Sequence, residues 1–372
     1  MKILIFNWQD ITNPLAGGAE VHLHEVFERI AAQGHEVVLY CSAYPGAAKE
    51  ETRNGIKIIR EGGRYLFNFR VPFVYFARFR RQQFDLVIDD MNKIPFFTPL
   101  YVHEPLYVIT HHMFGKSIFL EASFPIALYV YLMEKIGFGL CKLRKIPCIV
   151  GSPSTKGELV ESGFPASAVE IINYCVDHKT HFRNDSARSP EPLIGYFGRL
   201  KKYKSVEQLL RAFVTIRNDI PGIRLVIVGE GDYRSALEET ARGLGITRDV
   251  TFAGFVSEAQ KVSCLQKVWF AVNTSSKEGW GLTVIEANAC ATTVVAADVP
   301  GLRDAVKDGE TGLLYQFGNI EDLIRKIRQL MNDAALRQIL AENAYRWAET
   351  FDWNVAASRT LALLKQRARI KD

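Results

Sequence analysis

This 372-residue sequence has no Cys-x-x-Cys pair, no Gly-x-Gly-x-x-Gly and no completed His-Glu-x-x-His. Each absence removes a class of function. The six cysteines, Cys41, Cys141, Cys148, Cys175, Cys264 and Cys290, are scattered, several within apolar runs. That pattern suits reduced buried thiols in a cytosolic protein, not a disulfide framework. Without the glycine fingerprint, a nicotinamide or flavin enzyme loses its main sequence support. His22, His24 and Glu25 fall on one helical stretch, but a spacing of two turns the histidines to different sides, so no metal site is expected there. The longest uncharged apolar run, Ala122–Met133, contains Pro125 and is too short to span a bilayer. Excess charge is also small. The net charge of +5 fits an anionic small ligand or an acidic membrane surface and does not demand nucleic acid. Met1-Lys2 runs straight into the apolar Ile3–Phe6, so no signal peptide is expected.

What is present is an alternation of strands and helices long enough for two domains. Lys2–Phe6 reads as a buried strand, and a loop ends in Ala16-Gly17-Gly18. Ala19–Gln33 has a helical apolar stripe, and His35–Tyr40 is the next strand. This is the unit of a parallel sheet. Asp85–Asp90 is a strand ending in acids, and Pro105–Thr110 is one ending in His111-His112. Histidines just past a strand's carboxyl end lie where α/β folds bind ligands, although loop histidines without a role are common. Two stretches stand apart. From Arg64 to Arg81, arginines interleave with aromatics, which fits either an amphipathic helix packed on the sheet or a basic aromatic membrane patch. Ile118–Ile146 is rich in aliphatic and aromatic residues, with Lys135, Lys142, Arg144 and Lys145 late, as in a buried or an interfacial helix pair.

Asp177–Pro192 is polar and reads as a linker. A second strand and helix series follows. Leu193–Phe197 ends in Gly198-Arg199-Leu200, and Arg224–Val228 ends in Gly229-Glu230-Gly231. The decisive stretch is Glu278-Gly279-Trp280-Gly281-Leu282-Thr283-Val284-Ile285-Glu286, between an apolar strand and a helix. Free N–H groups at such a helix start favour a diphosphate, and the glycines admit close approach. Arg199 and Lys204, at another strand end, would neutralise it. Glu278 and Glu286 would bind sugar or ribose hydroxyls. The alternatives are a loop acid at Glu278, a capping box over Thr283–Glu286 and plain surface charges at Arg199 and Lys204.

Together, Gly17-Gly18-Ala19-Glu20, Gly198-Arg199-Leu200 with Lys204, Val228-Gly229-Glu230-Gly231 and the Glu-x7-Glu segment 278–286 resemble the retaining glycosyltransferases of family 4. Pro300-Gly301, Gly309–Leu314 and Phe351-Asp352-Trp353 extend the likeness over nearly the whole chain. The resemblance implies an α/β GT-B fold of two Rossmann-like domains facing a cleft. Their expected extents are 1–180 for the acceptor and 181–350 for the nucleotide sugar, with a C-terminal helix, 351–372, crossing back to the N-terminal domain. It implies that Arg199 and Lys204 bind the donor diphosphate. Backbone at Gly17, Gly18, Gly281, Leu282 and Thr283 completes the cradle. Glu286 meets the ribose, Glu278 the donor sugar, and Phe255 and Val256 the base. His111 sits near the sugar, with His112 and Lys116 towards the acceptor. Two departures stand out. His112 occupies the position of a usual Asp, and Tyr174-Cys175-Val176-Asp177 stands where Asn-Gly-Val-Asp is usual.

The implied reaction is transfer from a nucleoside diphosphate sugar to a glycan or lipid-linked acceptor, in cell-surface polysaccharide or glycolipid synthesis. No Asp-x-Asp is present, so no metal or other cofactor is expected. The expected location is the cytoplasm, peripherally on the inner membrane face through 64–81 and 118–146. Two rival functions remain open at this level: a sugar-nucleotide epimerase of the same architecture and a non-catalytic nucleotide-sugar binder.

Overall fold

The structure is a computed structural model that describes residues 1–63, 66–91, 94–120 and 122–370. The chain divides into two compact units, Met1–Tyr174 with Trp353–Asp372, and Cys175–Asp352. The N-terminal segment of the first unit thus ends at Tyr174 and the second unit at Asp352, where 180 and 350 were expected.

The first unit holds an eight-stranded sheet of β1 (Lys2–Phe6), β2 (Glu36–Cys41), β3 (Glu50–Arg53), β4 (Ile56–Arg60), β5 (Leu86–Met91), β6 (Leu106–Thr110), β7 (Cys148–Val150) and β8 (Val169–Ile171), in the order β3-β4-β2-β1-β5-β6-β7-β8. All neighbours are parallel except β3 and β4. Ile3–Phe6 and Leu86–Met91 are buried throughout, because helices cover both faces of a parallel sheet. At the end of β4, the Arg60 guanidinium lies 2.7 and 3.1 Å from the two carboxylate oxygens of Asp10, and both side chains are buried. Burial raises the pKa of Asp10, but Arg60 and Thr12 outweigh it and hold the group down at about 2. This fork pins the loop that leaves β1. The last helix, Trp353–Ala368, belongs to this unit; Arg29 Nε donates to Asn354 Oδ1 at 3.1 Å and Arg367 Nε to the Leu106 carbonyl at 3.1 Å.

The second unit holds a six-stranded sheet, all parallel, of β9 (Leu193–Phe197), β10 (Arg224–Val228), β11 (Val250–Gly254), β12 (Phe270–Asn273), β13 (Val294–Ala297) and β14 (Gly312–Tyr315), in the order β11-β10-β9-β12-β13-β14. The order reverses at β9 and β12. Loops leaving these two strands carry Arg199–Lys204 and Ser275–Gly281, so topology brings them to the same sheet end.

Three expectations change. The polar stretch 177–192 is packed in the second unit: His181 is buried, and Arg188 donates to the carbonyl of Ala291 and to Thr292 Oγ1, both at 2.9 Å. The arginine- and aromatic-rich stretch is not one regular helix. It runs as an α-helix, Phe67–Val74, a π-helical turn, Tyr75–Phe79, and a 3-10 turn, Arg80–Gln82; Arg64 and Tyr65 lie outside the described residues. The later apolar stretch forms one helix, Phe124–Leu143, because Glu134 and Lys135 do not end it as they end the uncharged run. By length and composition that 20-residue helix is apolar enough to cross a membrane, and 28% of its most apolar window is buried.

Candidate functional site

In the second unit, the Lys204 ammonium pairs with Glu278 Oε1, and both side chains are largely buried. Burial works against the charge on Lys204, yet the Glu278 carboxylate outweighs it and holds the ammonium's pKa above its ordinary value. The Ser275 hydroxyl lies 2.6 Å from the same carboxylate oxygen and 2.8 Å from Asn273 Oδ1, sharing one proton between them. Hydrogen bonds to backbone carbonyls hold the loops together: Ser276 N–H and Oγ donate to the Tyr203 carbonyl at 2.8 and 3.0 Å, and Thr274 Oγ1 to the Lys204 carbonyl at 2.9 Å. The Glu278 N–H donates to the Pro300 carbonyl at 3.2 Å. Glu278 is therefore clamped from three directions.

Gly281 precedes the helix Leu282–Ala289 and takes a left-handed conformation, φ +79°, with no side-chain cap on the helix start. The capping-box alternative is thereby overturned: Glu286 does not turn back to the helix start. Its Oε1 lies 3.0 Å from Lys261 Nζ, and its Oε2 is buried with no hydrogen-bond partner. Thr283 Oγ1 lies 3.5 Å from Asn273 Nδ2. Arg199 is exposed, and its guanidinium makes no hydrogen bond or ion pair among the described residues. Phe255 is 86% exposed at the turn after β11, beside the half-buried Val256. Among the described residues, one trio brings metal-type donor atoms within 4.8 Å of one another: His181, Glu258 and Glu286. The Lys261 ammonium already lies 2.8 Å from Glu258 Oε1 and 3.0 Å from Glu286 Oε1, in the place a cation would take.

The first unit holds the other predicted residues. Gly17 precedes the helix Gly18–Ala32, and its N–H donates to Glu20 Oε2 at 2.7 Å. His111, just past β6, is buried, with Nε2 2.5 Å from Asp90 Oδ1 and Nδ1 bonded to the Tyr174 hydroxyl. Burial opposes the charged imidazolium, and Asp90 outweighs it, so the His111 pKa is raised. Tyr174 in turn stacks on His22, centroids 4.6 Å apart. Both His22 nitrogens are buried without a hydrogen bond, and burial, with His111 beside it, pushes its pKa down to about 3. His24 pairs with Glu28 and Glu25 with Arg29, so His22, His24 and Glu25 do not converge on a metal. His112 packs edge-on to Phe114, and Lys116 is exposed on the turn Gly115–Leu120.

The sequence reading missed Ser275, Lys261 and the pairing of Tyr174 with His111. Ser275 carried a signal, three residues before Glu278 on the same strand-end loop. Lys261 carried none, being one polar residue on an amphipathic helix.

Residues 16–180 match the family model Glycosyltransferase Family 4, and residues 177–347 match Glycosyl transferases group 1. The chain is similar to glycogen synthase of Mycobacterium tuberculosis, 24% identical over 396 residues that cover 97% of this chain and 93% of the relative. Its fold is similar to that of sucrose-phosphate synthase from Thermosynechococcus elongatus, with a TM-score of 0.83 at 21% identity over 98% of both chains. Anabaena HepE, solved in complex with UDP-glucose, has a TM-score of 0.78 at 19% identity, covering 98% of this chain and 100% of HepE. Family matches running continuously from residue 16 to 347, on two predominantly parallel α/β sheets, place the chain among the family 4 glycosyltransferases of GT-B fold.

Proposed function

We propose that this glycosyltransferase is retaining and metal-independent, moving a sugar from a nucleoside diphosphate sugar to a glycan or lipid-linked acceptor in cell-surface polysaccharide or glycolipid synthesis. The observation that carries the reading is the buried Lys204–Glu278 pair at the same sheet end as the Gly281 turn. Lys204 and Arg199 meet the donor diphosphate, with the N–H groups of Leu282 and Thr283 at the helix start. Phe255 and Val256 flank the base, and Glu286 meets the ribose. As the bond from the anomeric carbon to the diphosphate breaks, its electron pair stays on the diphosphate oxygen. Cations and N–H groups already in place stabilise that developing charge, each worth about 10²–10³ in rate. The acceptor hydroxyl attacks from the same face, and its proton passes to the departing diphosphate oxygen. Glu278, neutralised by Lys204 and bonded to Ser275, orients the sugar and does not form a covalent adduct. His111, fixed by Asp90 and Tyr174, serves the sugar, with His112 and Lys116 towards the acceptor.

A lipid-linked acceptor is favoured by one face of the first unit. Phe69, Phe73 and Phe76 are exposed, as are Phe124, Ile126, Leu132, Ile136 and Leu143 of the long apolar helix. Asn68 Nδ2 lies 3.5 Å from Tyr129 Oη, so the two elements adjoin. Cations alternate with them along the sequence: Lys135 is exposed, while Arg70 and Arg78 pair with Glu61 and Glu50 and Lys142 donates to the Ser162 carbonyl, so the apolar side chains more than the charge favour a lipid surface.

A thermal-shift panel of UDP-, GDP- and ADP-sugars tests the donor half, since a ligand at about 100 times its dissociation constant stabilises by about 2.7 kcal/mol. A shift with one nucleotide class and transfer that survives EDTA are expected. No shift with any class refutes the reading. Flotation with anionic liposomes tests the membrane half; binding that fails to appear, or that ignores salt, removes it.

A further inference from the structure

The helix Glu258–Lys267 starts under a reciprocal cap: Gln260 N–H donates to Ser257 Oγ at 3.3 Å and Ser257 N–H to Gln260 Oε1 at 2.9 Å. One turn in, Lys261 lies between two carboxylates, 2.8 Å from Glu258 Oε1 and 3.0 Å from Glu286 Oε1. Behind Glu258, the buried His181 places Nε2 3.0 Å from the same Glu258 oxygen. Glu286 is 92% buried, at 8% exposure, and its second oxygen, Oε2, has no donor. A buried carboxylate oxygen left in that state is costly, and a hydroxyl donor removes the cost.

We infer that Lys261 is a positioning residue of the donor site: it fixes Glu286 through Oε1 and leaves Oε2 as the acceptor for a ribose hydroxyl of the nucleoside diphosphate. This rests on the reading that Glu286 meets the ribose. Lys261 gives Glu286 a fixed counter-charge. Glu258 and His181 hold Lys261 from the other side, so the ammonium does not swing into solvent. A carboxylate free to rotate would lose the entropy of fixing on every binding event; one already tied at Oε1 loses less. The arrangement also accounts for the metal-like trio. The Lys261 ammonium supplies the positive charge that two carboxylates and a histidine would otherwise recruit.

The test is titration calorimetry of UDP, GDP and ADP, with their 2′-deoxy and 3′-deoxy forms, against wild type, K261M, K261R, E286Q and K261M/E286Q. Melting temperature serves as the folding control. For the nucleotide that wild type binds, K261M should weaken affinity about 10-fold, the size of one charge-assisted contact, and K261R should recover most of that loss. K261M should lose the preference for the ribose over the deoxy sugar, as E286Q does. The double variant should be no weaker than E286Q alone, because both act through one carboxylate. Wild-type affinity in K261M, an intact ribose preference, or losses that add in the double variant would each overturn the inference while leaving the donor reading standing. Wild type that binds none of the three nucleotides would overturn both. Zn²⁺ or Mn²⁺ bound tightly by wild type and lost in E286Q would overturn it in favour of a metal site.

Discussion

Replacing Gly301 with alanine should disable turnover out of proportion to its effect on folding. Gly301 sits at φ +83°, and a Cβ there would come within 2.2 Å of the Glu278 carbonyl oxygen and 3.0 Å of the Glu278 Cβ. Real contacts of this kind need more than 3 Å. The Glu278 backbone must therefore retreat by about 1 Å, and a misplacement of that size costs on the order of 10²-fold in rate. It cannot retreat without loosening the 3.2 Å bond from the Glu278 N–H to the Pro300 carbonyl and the pairing with Lys204. Backbone strain at the new residue adds about 1–3 kcal/mol, which lowers Tm by roughly 2–12 °C in a unit of this size. The assay is kcat of transfer beside nucleoside diphosphate affinity and a melting curve. Gly301→Ala with wild-type kcat would refute the claim that Glu278 must be held where it is. A loss of nucleotide affinity as large as the loss of kcat would refute the assignment of Glu278 to the donor sugar.

Lys204→Met should lower kcat by about 10²–10³. It also strands the Glu278 carboxylate in a largely buried place, so a melting point unchanged from wild type would contradict the pairing. His22 predicts a pH effect. Its folded pKa of about 3 lies below its ordinary 6.5, so its neutral form favours folding above pH 6.5, and that stability is lost as pH falls. The loss is about 1.4 kcal/mol per pH unit, or about 2 kcal/mol by pH 5. The neighbouring His111 works oppositely: its raised pKa adds stability at low pH that fades as pH rises through the folded value. His22→Gln should therefore flatten the acid limb of a stability-against-pH curve from urea unfolding, and an unchanged slope would refute the assignment.

Much of the site was legible because its signals are local. Glu278, Gly281 and Glu286 sit at a strand-to-helix turn, where chain geometry alone makes a ligand site. What escaped depends on contacts between distant segments. Lys261 looks like any polar helix residue until Glu286 is seen 3.0 Å away. Stretch 177–192 has the composition of a linker, yet Arg188 finds buried carbonyl partners that composition cannot show. Tyr174 read only as a departure from the usual Asn-Gly-Val-Asp; the structure shows it bonded to His111, with Gly151 so close that a Cβ there would lie 2.8 Å from the tyrosine ring. Strand β3 and its pairing with β4 were a different kind of miss. Asn54-Gly55, both at positive φ, is a strong hairpin turn that was present in the sequence.

The central claim is retention at the anomeric carbon without a covalent adduct on Glu278. The direct measurement is the anomeric configuration of the first-formed product by proton NMR, using the donor picked out by the thermal-shift panel, with intact-mass analysis of the enzyme during turnover. The account predicts the donor's own anomeric configuration in the product and an enzyme of unchanged mass. An inverted product, or a glycosyl group trapped on Glu278, would contradict it.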